Sequence, residues 1–197
     1  MLAAFPAFPY AEDQTGYLWI DRPESGTSTP PPKDLRKAGF RVSVEDGNDF
    51  DGLNRVGGTV FVDTISRLGV LARVNYLEEQ LDAGTDHLWL GELDLTCRFA
   101  QHEKVAMYAG VGLRVMEDRG DSHLGWAVLY GADFFPAPPV VLSVWFDAGQ
   151  VGAATVTHGR GTVGMLYRGW EVFGGYDWLR IGSVDVQGPL IGVRCWF

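Results

Sequence analysis

Apolar and polar residues alternate along most of this chain, from Gly39 to its last residue. In the clearest segment, residues 89–99, the odd positions are apolar or glycine, and Glu92, Asp94 and Arg98 occupy even positions. A period of two is the pattern of a β-strand whose two faces meet different surroundings. No apolar run approaches the roughly 18 residues of a transmembrane helix. The pattern therefore predicts an all-β protein.

The alternation can be divided into ten segments, which we interpret as ten strands. They lie near residues 40–45, 55–65, 70–76, 89–99, 105–115, 125–134, 142–148, 156–167, 170–178 and 190–197. The links between them are alternately tight and long, with long links at residues 46–52, 78–86, 117–123, 150–155 and 179–187. This arrangement is typical of an up-and-down transmembrane barrel. We therefore predict that residues 37–197 form a closed antiparallel β-barrel of about ten strands, with eight as the alternative count.

Residues 1–36 differ in composition from the rest, because they hold six of the ten prolines. Such a segment cannot bury a core of its own and is typical of an extended arm or linker. Residues 1–11 lack the basic region and the full apolar length of a secretory signal. We interpret residues 1–36 as a Pro-rich arm, with a signal-peptide remnant as the alternative.

Charge and cysteine content exclude several classes of function. The net charge of −9 and the sequence pI near 4.8 argue against nucleic acid as a partner, because phosphate binding needs a basic face. Cys97 and Cys195 fall on strands that are not neighbours, so we predict two free thiols. No Cys/His spacing resembles a metal site. We expect no metal, no cofactor and no catalytic residue.

The polar faces of the strands carry arginine, carboxylates and glycine but almost no lysine. Arginine pairs with carboxylates through two parallel hydrogen bonds, which suits a desolvated network better than a wetted surface. We therefore predict that the charged face points into the barrel, where it largely plugs the lumen, with a narrow polar pathway as the alternative. The candidate lumen residues are Arg41, Arg73, Glu92, Asp94, Arg98, Arg114, Asp133, Asp147 and Arg194.

Aromatic residues on the apolar faces are predicted to lie at two levels. One level, near the tight links, holds Phe40, Phe99, Phe134, Trp170 and Phe197, and the other holds Tyr76, Trp89, Trp126, Phe146 and Trp178. Aromatic rings concentrate at the two interfaces of a membrane, whereas a soluble barrel needs no such belts. The ten residues are therefore candidate membrane-interface aromatics.

The final strand alternates Ile191, Val193, Cys195 and Phe197 on one face with Arg194 and glycine on the other. It resembles the closing strand of bacterial outer-membrane β-barrels. The resemblance implies an outer-membrane location with lipid around the barrel. It also implies recognition by the barrel-insertion machinery through the strand that ends in Phe197. A structural, adhesive or narrow-pore role is expected, and the sequence indicates no oligomeric state.

Two other functions remain open from the sequence. The first is a soluble barrel that binds an apolar small molecule with its aromatic face inward. Trp89, Leu93, Val111 and Val128 would then be buried, whereas a membrane barrel would expose them.

The second is a barrel enzyme that modifies lipids or peptides at the outer leaflet. Asp121, Ser122 and His123 form the one compact set of suitable side chains, in a predicted outer loop, and His87 follows a second polar stretch. Adjacent loop residues rarely point together, so we do not expect catalysis there.

Overall fold

The computed structural model describes residues 38–49, 52–64, 66–81, 84–102, 104–118 and 120–197. The predicted arm, residues 1–36, lies outside the described residues. The strands are β1 (Ala38–Asn48), β2 (Leu53–Thr64), β3 (Leu68–Leu81), β4 (Gly84–His102), β5 (Val105–Asp118), β6 (Asp121–Phe134), β7 (Val140–Val151), β8 (Ala154–Tyr167), β9 (Trp170–Ile181) and β10 (Val184–Trp196). No helix in these ranges is long and apolar enough to cross a membrane.

Each strand pairs antiparallel with its neighbours in the chain, and β1 pairs with β10 to close the barrel. At this seam Val42 lies opposite Cys195 and Val44 lies opposite Val193. Closure removes the free strand edges that an open sheet would expose. The predicted closed up-and-down barrel of ten strands is confirmed, and the alternative count of eight is wrong.

The two ends of the barrel differ, but not in the way the sequence suggested. We call the end where β1 begins and β10 finishes the turn end, and the opposite end the hairpin end. The prediction of long loops at the hairpin end is wrong, because β3 and β4 continue to Leu81 and Gly84. At the other four links only residues 49–52, 119–120, 152–153 and 182–183 lie between strands.

The strands continue through these polar stretches because links of two to four residues are sufficient to reverse the described strands. Gly152 and Gly182 begin two of the turns with φ angles of 55° and 59°, a conformation that costs glycine little. The outward face of these strand extensions meets water and therefore carries polar residues, which in the sequence resemble the residues of a loop. The hairpin end is therefore a crown of strand pairs rather than of loops.

The apolar face of the barrel points outward. Trp89, Leu93 and Val111 are 46%, 54% and 60% exposed, and Val128 is half-buried. This polarity is the reverse of that expected for a soluble barrel that holds an apolar ligand inside.

Candidate functional site

The charged interior of the barrel is the candidate functional site. All nine residues predicted to face the lumen occupy inward positions and are buried. The interior also holds seven buried titratable residues outside that predicted set: Glu45, Arg55, Asp63, His158, Arg160, Glu171 and Asp177. These residues occupy the same polar positions of the alternating strands as the predicted set. That alternation is the sequence signal that identifies them as inward residues.

A four-residue cluster forms the middle of the interior. The Arg73 Nη1 atom donates to Glu92 Oε2 at 2.7 Å and to Asp147 Oδ2 at 2.9 Å. The Arg114 Nε atom donates to Glu92 Oε1 at 2.6 Å, and its Nη2 atom pairs with Asp147. The Arg73 guanidinium lies 3.6 Å from the centre of the Trp145 ring. Two cations and two carboxylates thus pair with one another, and the buried Arg114 Nη1 atom has no hydrogen-bond partner.

A second cluster, on the hairpin side, is centred on Asp177. This carboxylate accepts a hydrogen bond from Arg160 Nε at 2.6 Å, pairs with Arg55, and lies 2.9 Å from His158 Nε2. Arg160 also pairs with Glu45 on the opposite side of the seam. The cluster joins strands from both halves of the chain, so it ties the barrel together across its closure.

A third cluster lies toward the turn end. Arg41 Nη1 donates to Asp133 Oδ2 at 2.7 Å. Arg194 Nη1 and Trp196 Nε1 both donate to Glu171, at 3.0 Å and 2.8 Å. These bonds span positions up to 92 apart in the sequence, which only a closed barrel can bring together.

Two predicted lumen residues lie apart from these clusters. Arg98 pairs with Asp63 on β2, near the turn end. Asp94 is only 1% exposed, and its Oδ1 atom has no hydrogen-bond partner. In the described interior, seven buried arginines face eight buried carboxylates, so the network is close to electrically neutral.

The polarity of the strands inverts near the hairpin end. On β3, Arg73 and Asn75 point inward below this level, but Leu77 points inward above it. Outward positions change in the opposite sense, from Val74 to Glu78. The inward apolar residues form the hairpin-end apolar cluster: Leu77, Leu90, Val151, Val156 and Leu179.

The sequence contains a signal for this inversion. Where the apolar residues change from the outward to the inward face of a strand, two apolar residues follow one another in the sequence. Such pairs occur at residues 76–77, 89–90 and 178–179, and in each the first residue is an outward aromatic. The inversion therefore lies at the level of the hairpin-end aromatic row.

A similar apolar cluster closes the turn end from inside. It consists of Phe135, Val141, Leu166 and Trp196. Phe135 follows the outward Phe134, and Trp196 precedes the outward Phe197, so adjacent aromatics again point to opposite faces. The charged clusters lie between these two apolar layers, together with a further apolar cluster of Phe61, Leu71, Tyr108 and Leu129.

The ten predicted interface aromatics all occupy outward positions. Tyr76, Phe134 and Trp178 are half-buried, and the other seven are exposed. Tyr76 and Trp89 lie directly opposite each other on β3 and β4, with their ring centres 4.8 Å apart. On the described strands, no charged side chain points outward between the two aromatic rows.

The residues considered for catalysis are not arranged as a site. Asp121, Ser122 and His123 belong to β6 rather than to the predicted loop, and successive strand residues point to opposite faces. Within the described ranges, no three His, Cys, Asp or Glu side chains are grouped to hold a metal ion. Cys97 and Cys195 are free thiols, as predicted.

Comparisons with known proteins give structural similarity alone. No protein-family model and no curated protein matches the chain. The N-terminal β-barrel domain of OprF from Pseudomonas aeruginosa is 12% identical with a TM-score of 0.39, covering 81% of this chain and 97% of that one. Neisserial surface protein A is 14% identical with a TM-score of 0.40, covering 81% and 96%. The Yersinia pestis outer membrane protein Ail is 13% identical with a TM-score of 0.43, covering 81% and 99%. Similarity at this level assigns no activity, ligand or location to this chain.

Proposed function

We propose that the chain is a bacterial outer-membrane β-barrel that spans the bilayer with a closed lumen and has a structural or adhesive role. The outward apolar surface has the right height for this. On β4 the apolar band runs from Trp89 to Phe99, which is ten residue steps. At about 3.3 Å per step and a strand tilt of about 40°, the band is about 25 Å tall, the height of a transmembrane barrel's apolar belt.

The polarity inversion is the observation that carries the proposal. A barrel in water has one polarity along its whole length, with apolar residues inside and polar residues outside. Lipid reverses the requirement on the outer face, since a charged side chain there is costly. Here the outer face is apolar between the two aromatic rows and polar beyond the hairpin-end row, where the interior becomes apolar. The change of polarity at an aromatic belt is what a membrane boundary requires.

The contents of the lumen support a structural role over a pore. Within each of the three charged clusters the charges pair across the interior, and two apolar clusters lie at its ends. An ion would have to displace paired charges and cross both apolar layers. The crown of hairpins is then the part of the barrel presented to partners outside the membrane.

Reconstitution tests both parts of this proposal. The purified chain should insert into phospholipid vesicles and migrate differently on a gel before and after boiling, as a folded barrel does. In planar bilayers the same preparation should show no stable conductance steps. The membrane assignment would be wrong if the chain folds in water without detergent, or if it remains aggregated when lipid vesicles are supplied. Stable ohmic steps from inserted, heat-modifiable protein would instead establish the narrow-pore alternative.

We also propose that the strand ending in Phe197 is recognised by the barrel-insertion machinery. The support is that Phe197 is exposed on the outer face, where the backbone N–H of Phe40 donates to its carbonyl at 3.2 Å. Phe197→Ala should reduce assembly in cells while refolding into vesicles is unchanged. Val193→Ala, on the same strand face, is the control for a general loss of apolar surface. Equal assembly of the Phe197 variant and wild type in cells would contradict this proposal.

A further inference from the structure

Among the described residues, the exposed charges at the two ends of the barrel differ in sign, apart from Arg180, which pairs with Asp185 at the hairpin end. At the turn end, Arg67, Lys104 and Arg168 lie in the β2–β3, β4–β5 and β8–β9 connections. Lys104 and Arg168 are exposed, Arg67 is half-buried, and the sequence places Glu103 beside Lys104. The exposed acids lie at the hairpin end: Asp46, Glu79, Glu117, Asp118, Asp121 and Asp185.

Each of the three cations lies next to the turn-end aromatic row. The Arg168 guanidinium is 5.3 Å from the centre of the Tyr167 ring, and Trp170 follows two residues later. Lys104 directly precedes Val105, which lies opposite Phe134 of that row. The Arg67 carbonyl accepts one from Arg98 at 2.8 Å, next to Phe99. If the aromatic row marks the membrane interface, the three charges lie at the depth of the lipid phosphates.

The spacing of the cations around the barrel points to a lipid layer rather than a protein. Two strands separate the Arg67 and Lys104 turns, four separate the Lys104 and Arg168 turns, and four more complete the circle. A protein partner touching one side would meet one or two of these charges. A headgroup layer surrounds the barrel and meets all three.

We propose that Arg67, Lys104 and Arg168 form a cation ring that binds the phosphate groups of anionic phospholipids in the leaflet at the turn end. This inference rests on the proposed membrane function. A Lys or Arg near an anionic membrane surface contributes about 1 kcal/mol, which is about a fivefold change in affinity. Exposed charges of this kind are screened by salt, because the Debye length is about 3 Å at 1 M.

Native mass spectrometry of the full chain in mixed micelles tests the cation ring. The probes are phosphatidylglycerol and phosphatidylcholine at equal concentration, and the measured quantity is the ratio of their dissociation constants. The test variant is Arg67→Asn, Lys104→Gln and Arg168→Asn combined. Asparagine is chosen because Arg67 and Arg168 have positive φ angles of 69° and 52°, which asparagine tolerates.

The matched control places three new charges at the opposite end. Asn54→Asp, Ser122→Asp and Gln150→Glu combined lower the net charge by the same three units, at exposed outward positions of the hairpin end. Substituting lysine at Arg67 and Arg168 keeps the charge while changing the guanidinium. Folding of every variant is checked by heat-modifiable migration in phosphatidylcholine vesicles.

The wild-type chain and the lysine variant should prefer phosphatidylglycerol. In the cation-ring variant this preference, measured as the ratio of the two dissociation constants, should fall about fivefold for each charge that a bound lipid contacts. The hairpin-end control should retain the preference. The cation ring is refuted if its variant keeps the wild-type preference, or if the hairpin-end control loses as much. If the wild-type chain folds in phosphatidylcholine vesicles but does not prefer phosphatidylglycerol, only the cation ring is refuted. If the wild-type chain never inserts into vesicles, the proposed membrane function is refuted as well.

Discussion

Leu93→Arg measures whether lipid covers the outward face. Leu93 lies near the middle of the β4 apolar band, between Trp89 and Phe99, with its side chain 54% exposed. An arginine facing lipid at the bilayer midplane costs about 2–4 kcal/mol, and near the interface about 0–1 kcal/mol. The substitution should therefore lower the folding equilibrium constant by about 30- to 700-fold.

Two further variants distinguish the effect of the charge's depth in the membrane from the effect of removing the leucine side chain. Leu93→Ala removes the apolar side chain without adding a charge. Gln150→Arg adds the same charge at an exposed outward position opposite Trp126, at the level of the hairpin-end aromatic row. An arginine at this interface level costs only about 0–1 kcal/mol.

Equilibrium urea unfolding in phosphatidylcholine vesicles, followed by tryptophan fluorescence and gel migration, gives the free energy of unfolding of each variant. We expect Leu93→Arg to be least stable by a wide margin and Gln150→Arg to lie within about 1 kcal/mol of the wild type. Equal stability of the two arginine variants would refute the membrane placement of the band, because water would then cover both positions alike.

Other predictions concern the interior and the thiols. Arg114→Met leaves two buried carboxylates with one cation fewer and should cost about 3–5 kcal/mol in the same urea assay, whereas Arg180→Met, at an exposed ion pair, should leave the midpoint unchanged. Leu179→Ala, at a position with 0% exposure in the hairpin-end apolar cluster, should cost about 2–5 kcal/mol, and a smaller loss would mean that the cluster is loosely packed. Cys97 should resist a membrane-impermeant maleimide in vesicles while an introduced Ser122→Cys reacts, and rapid labelling of Cys97 would contradict its placement in lipid.

The strand alternation was sufficient to predict which face each residue occupies. Arg73, Glu92 and Arg114 could be assigned to the interior because a strand has only two faces and theirs carries the charges. The hairpin end was predicted less well. The sequence predicts a loop at residues 78–86 because polar residues are frequent there and the alternation is weakest.

Pairing partners could not be predicted from the sequence. Arg41 meets Asp133 and Arg160 meets Glu45 across 92 and 115 positions, because strand register and barrel closure decide which inward residues share a level. Local spacing carries no information about contacts made across the lumen.

The sequence by itself determined the ten-stranded antiparallel barrel, because a period of two separates two strand faces, and it indicated the inward direction of the charges, because the polar face is rich in arginine and poor in lysine. Only the tertiary structure decided which inward residues share a level of the interior. Register brings the inward leucines and valines of five strands to one level, and closure places them opposite one another as an apolar layer above the ion pairs. That layer depends on distances across the barrel, which exist only once β1 has paired with β10.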